Sequence, residues 1–258
     1  MKSSYQLTDR AALLTISGDS GAAHPQVAVI PMETVAKSVA FAPQFAALAN
    51  VFPVLADQIA AANERLQPNA RAEDLRGMVS RTVGKPYQAA QAAVIAEASA
   101  AKASRGVAMA YRAGDPVFFP MIVAKFAAMP AAQRAAFAER ASVEQTSALV
   151  AAGRDFFDGV DDNIWQVVER RHIIQAHIRI TGLQADHQLQ PNAANPAASG
   201  PDVPGVEKAA AEALKRHEAR GEVVAAAEGS LRSIVAAVAL ATDLSHDAAY
   251  DLLTGKAA

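Results

Sequence analysis

Cysteine is absent from the chain, which excludes disulfides, thiolate metal sites and a cysteine nucleophile. Aromatic residues make up only 5% of the sequence, so a core here has few of the side chains that bury the most area. Neither sign of charge is in excess. The 24 Lys and Arg against 26 Asp and Glu leave a formal net charge of −2, without the overall basic footprint that nucleic acid requires. Long apolar runs are also missing. Those such as Ile234 to Ala241 stop well short of the roughly 20 residues of a membrane-crossing helix. No membrane span is therefore expected. The N-terminal stretch places Asp9 and Arg10 ahead of its short apolar run, which makes a poor secretion signal. The expected location is the cytoplasm or the inside of a virion-like assembly.

What the chain has in quantity is alanine, 63 of 258 residues, within a hydrophobic share of 52%. Alanine is the best helix former but buries little area per side chain. Stability must then come from long helices, many contacts or partner subunits. Arg outnumbers Lys 16 to 8, which with the alanine excess points to a GC-rich bacterial or phage genome.

Residues 1–32 hold the plausible β material, the short runs Leu13 to Ile16 and Val27 to Ile30 between glycines and Pro25. They read as a hairpin or an extended arm. Helical periodicity begins at Glu33, and Pro53 marks the expected start of a second helix. Further helices are expected at about 70–82, from Tyr87 to Arg112, from Met121 to Ala128, from Pro130 to about Ala152 and from Ile164 to Leu183. The motif Val51-Phe52-Pro53 echoes Phe118-Phe119-Pro120, ordinary grammar for opening a buried helix. Four prolines, at 191, 196, 201 and 204, mark residues 187–205 as a linker. Beyond it come a charged helix from Val206 to Arg220 and an apolar helix with Leu231, Ile234, Val235 and Val238 on one stripe. A last helix is capped by Ser245 and ended by Gly255. The domain reading is an arm at 1–32, a main helical domain at 33–186, the linker at 187–205 and a C-terminal segment at 206–258. The fold class expected is predominantly all-α, a helical bundle with a short β or extended arm and a C-terminal helical appendage.

Chemical signals are few. Gly18-Asp19-Ser20-Gly21 resembles the nucleophile loop of chymotrypsin-like proteases, but no histidine precedes it. Asp155, Asp158, Asp161, Asp162 and Asn163 surround Gly159 without the alternation and closing Glu of a calcium loop. A helix cap at Asp161 or Asp162 fits them better. Glu169 and His172 stand three apart on one expected helix, the spacing that ferritin-like bundles use to hold metal. A bundle of that kind needs a second such motif and two further Glu, so His172 is expected to pack inward and no metal or other cofactor is expected.

The segment Val238 to Leu253, with its Val-Ala opening, Thr242-Asp243-Leu244-Ser245 turn and Tyr250, resembles a bacterial helix-turn-helix. In that family the second helix enters the major groove. Here it carries Asp247 and Asp251 and neither Arg nor Lys, so phosphates would repel it. The resulting expectation is a non-catalytic structural or interaction protein, a self-associating part of a bacterial or phage assembly. Its partners would be proteins or further copies, not nucleic acid. The stripe Leu231, Ile234, Val235 and Val238 is the expected interaction face. The alternatives are a helical metalloprotein using Glu169 and His172, and a regulator using the C-terminal hairpin.

Overall fold

The computed structural model describes residues 1–18, 24–35 and 38–256. Among the described residues there are three β-strands and ten α-helices, and the chain is predominantly helical with one small N-terminal sheet. The strands are β1 (Lys2–Leu7), β2 (Ala11–Ser17) and β3 (Gln26–Pro31), antiparallel in the order β1-β2-β3. Tyr5 sits opposite Leu14, and Leu14 opposite Ala28. Strand β1 was not expected: its run Lys-Ser-Ser-Tyr-Gln-Leu is too polar to stand out, and pairing with β2 makes it a strand.

Long-range contacts divide the chain into two compact units. The first comprises Met1–Ala100 and Arg220–Ala258. In β2 every second residue, Ala12, Leu14 and Ile16, is buried, the period of a half-covered strand. That face joins a core with Phe41, Phe45, Leu48, Phe52, Leu55 and Ile59, mostly from α1 (Ala42–Arg65). Ser3 Oγ ties β1 to α1 by donating to the Ala56 carbonyl at 2.8 Å. At the other edge of the sheet, the Val29 amide donates to Ser233 Oγ at 3.0 Å, so a helix occupies a hydrogen-bonding position that would otherwise be open. The helices α2 (Pro68–Thr82), the first part of α3 (Gly84–Ala110), the last part of α9 (Val203–Thr242) and α10 (His246–Thr254) complete this unit.

The second unit, Ala101–Ala219, contains α4 (Phe119–Ala127), α5 (Ala131–Arg140), α6 (Val143–Ala152), α7 (Asp162–Thr181), the short α8 (Leu183–Asp186) and the adjoining parts of α3 and α9. Most of the chain's phenylalanines beyond α1 meet here. Phe126 lies edge-on to Phe157 at 5.3 Å, and Phe157 is 5.9 Å from Trp165.

Several expectations need correcting. Pro53 does not open a helix; it lies inside α1, where it removes the bond to the Ala49 carbonyl while buried Phe52 and Leu55 hold the helix to the core. The helix expected from Pro130 to Ala152 is two helices, because Ser142 and Gln145 form a capping box that starts α6. The two helices expected after residue 206 are one, the 40-residue α9, and Gly221 does not interrupt it.

The expectation of no membrane span is also overturned. Helices α1 and α9 are long and apolar enough to cross a membrane by length and composition, with mean hydropathies of 1.5 and 1.6 over 18 residues. In both helices Val, Leu and Ile interspersed with alanine outweigh the few polar residues, so these values are reached without a long uninterrupted apolar run. In each helix 44% of that window is buried inside the protein.

Between α8 and α9 the proline-rich stretch forms a closed loop. The Leu189 amide donates to the Gly200 carbonyl at 2.8 Å, and the Asp202 amide to the His187 carbonyl at 3.0 Å.

Candidate functional site

The polar centre of the second unit forms where α7 crosses α6. Asp161 caps α7 by accepting from the Asn163 amide at 2.7 Å, which satisfies one of the free amides of the first turn. The acidic cluster thus serves the helix end, and Asp162 pairs with Arg154. From this start, every third or fourth residue of α7 turns inward: Trp165, Val168, His172 and Ala176 are all buried.

His172 is fully buried. Its Nδ1 lies 3.2 Å from Thr146 Oγ1 of α6, and among the described residues its Nε2 has no hydrogen-bond partner. Thr146 Oγ1 also reaches the Val143 carbonyl at 3.1 Å and Gln175 Oε1 at 3.4 Å. Gln175 in turn donates to the Ala141 carbonyl at 2.9 Å, which Arg171 reaches at 3.3 Å. Arg171 pairs with Glu207 of α9 at 2.8 Å. A chain of polar contacts therefore runs from His172 to the surface, joining α6, α7 and α9. Beside it the amide of Ala113 donates to buried Ser147 Oγ at 3.0 Å.

Burial pushes the His172 imidazole below its ordinary value, and the nearby Arg112 guanidinium pushes it further; the carbonyls of Ala108 and Tyr111 oppose both. The ring is thus held in its neutral form. Glu169, the other half of the sequence motif, does not meet it. Its carboxylate accepts from Trp165 Nε1 at 3.0 Å and pairs with Arg105 at 2.8 Å. Among the described residues, no group of three or more His, Asp or Glu could hold a metal ion.

Next to this centre a cleft of about 190 Å³ is lined by Val143, Ile178 and Val206, with Glu144, Arg179 and Glu207 among its polar groups. A hydrogen bond from Ser142 holds the Glu144 carboxyl below its ordinary value, aided by Arg179. No family model, curated protein or solved structure matches the chain.

The remaining sequence candidates lie elsewhere. Leu231, Ile234, Val235 and Val238 are each at most 9% exposed and belong to the core of the first unit. The C-terminal hairpin packs there too. Ala249 and Leu253 of α10 are buried, and the Leu253 carbonyl and Tyr250 hydroxyl accept from Gln88 and Gln91 of α3. Of the protease-like motif, Asp19, Ser20 and Gly21 lie outside the described residues.

What sequence reading missed is a group of exposed apolar side chains. In the second unit, Val117, Phe118 and Met121 are 77%, 56% and 65% exposed. They stand on the 3-10 turn Pro116–Phe118 and the start of α4. Phe118 stands where the echoed motif has Val51, and Phe119 where it has Phe52; Val51 is half-buried and Phe52 buried, whereas Phe118 is exposed and Phe119 half-buried. Local pattern cannot separate the two, because burial depends on what the rest of the chain brings to each.

Proposed function

We propose that this chain is a non-catalytic structural or interaction protein, a self-associating component of a larger bacterial or phage assembly. The observation that carries this reading is the run of exposed apolar residues Val117, Phe118 and Met121. Single exposed apolar residues are commonplace, but several large ones together mark a contact surface. Two further features support it. Alanine-rich helices bury little area per contact, so packing against another subunit adds what the chain's own cores lack. His172, whose pKa burial lowers, is sealed from solvent and so out of a substrate's reach, unlike a catalytic base. The composition supports a bacterial or phage setting, in the cytoplasm or inside the particle.

The absence of cysteine makes the test clean. Phe118→Cys introduces a sole thiol whose reaction rate with a soluble thiol reagent reads the exposure of that position. The expected result is a rate that falls as protein concentration rises, while Glu139→Cys, at an exposed polar position of α5, reacts at a constant rate. Equal, concentration-independent rates at both positions would exclude this surface as the contact.

A further inference from the structure

A neutral imidazole with one hydrogen bond can rest in a dry site; an imidazolium needs an acceptor at both nitrogens. His172 has no such arrangement. Thr146 Oγ1 is within reach of Nδ1, but among the described residues no acceptor is placed to hydrogen-bond Nε2, and the carbonyls of Ala108 and Tyr111 favour the charged ring less than burial and Arg112 oppose it. The backbone carbonyls nearby belong to Ala108 and Tyr111 at the end of α3. That of Tyr111 already accepts from Arg112 Nη1 at 2.7 Å, and the same nitrogen reaches the Met109 carbonyl at 2.6 Å.

The charged groups around the ring offer no compensation. From the α3 end comes the Arg112 cation. Helix α6 contributes the Thr146 hydroxyl, while its Glu144 carboxylate accepts from Ser142. Helix α5 leaves Glu139 and Arg140 exposed. On α7 itself, Glu169 is held by Arg105 and Trp165, and Arg171 is paired with Glu207 of α9.

We propose that His172 is an acid-sensitive latch: a proton taken up from solvent at its free ring nitrogen loosens α7 from α6 and from residues 108–112, while the first unit keeps its fold. The direction follows from linkage. The folded state holds this histidine neutral, so its full contribution is present above the ordinary histidine value of 6.5. It is lost as the pH falls from there toward the lower folded value.

Trp165, the only tryptophan, reports on the second unit alone. It lies two turns before His172 on the same buried face of α7 and is 7% exposed. The experiment follows the tryptophan emission of the full chain from pH 7.5 to 5. A red shift is expected between about pH 6.5 and 5, the window where an unfolded-state histidine gains its proton. His172→Gln should abolish that shift, and Glu169→Gln, which alters the hydrogen bond of the reporter itself, should retain it. A separate variant covers the case in which His172→Gln fails to fold. Arg112→Gln removes the opposing cation from the exposed position just beyond α3 and should move the transition to lower pH. Emission that stays constant in the wild type across this range overturns the proposal. So does a red shift that persists in His172→Gln, or one that is unmoved in Arg112→Gln.

Discussion

Asp243 is the only non-glycine residue among those described with positive φ, at 52°. It follows the last residue of α9, and the Leu244 amide reaches back to the Ala239 carbonyl at 3.0 Å, the closure of a Schellman turn. Arg76 of α2 donates to the Thr242 carbonyl at 3.1 Å, on the same helix end. Glycine occupies such a position without strain, whereas an L side chain costs about 1–2 kcal/mol there, less for Asp than for most. Asp243→Gly should therefore raise stability by up to about 1 kcal/mol, and the β-branched Asp243→Val should lower it by more than that. Thermal unfolding of the three proteins checks the order. Caps of this kind were legible in the sequence: Asp161, Ser245 and Gly255 stand where the helix ends require them. The inward turn of His172 was legible from the apolar stripe it shares. Its neighbours Thr146, Gln175 and Arg112 were not, because they come from other elements and no local pattern links them.

At the scale of elements, α9 shows where sequence reading stopped short. The change from charged to apolar composition near Gly221 suggested two helices, but a glycine in a helix costs only about 1 kcal/mol. Val224, Ala227 and Leu231 beyond it are buried, which outweighs that cost. The break between α5 and α6 is the converse case, since the capping box of Ser142 and Gln145 is a local pattern that marks the start of a new helix. The two parts of α9 should respond differently to mutation. Ile234, 2% exposed in the first unit, belongs to its hydrophobic core cluster. Ile234→Asp should cost at least about 4 kcal/mol through lost burial and an unpaired carboxylate. Glu212 forms only an exposed pair with Lys215 at 3.0 Å, so Glu212→Ala should cost less than about 1 kcal/mol. Chemical denaturation of both variants tests this, and comparable losses would show the stripe to be less central to the core than its burial implies.

Over the whole molecule, composition indicated the helical class and the N-terminal β material, since alternation is confined to that end. It did not indicate which helices share a core. The first unit joins Val29 to Ser233 across 204 positions, and nothing near either residue announces the other. Nor does a count of uninterrupted apolar runs register that alanine together with Val, Leu and Ile gives α1 and α9 membrane-compatible hydropathy. The same alanine content underlies the functional proposal, because cores built from small side chains gain from further packing. Its central claim is that the exposed Val117, Phe118 and Met121 surface is covered by another copy of the chain. Sedimentation equilibrium of the chain over a wide concentration range tests it most directly. The predicted result is a mass that rises above that of one chain with concentration and returns to the single-chain value in Phe118→Ser/Met121→Ser. A single-chain mass at every concentration, or an assembly that the double substitution leaves intact, would contradict it.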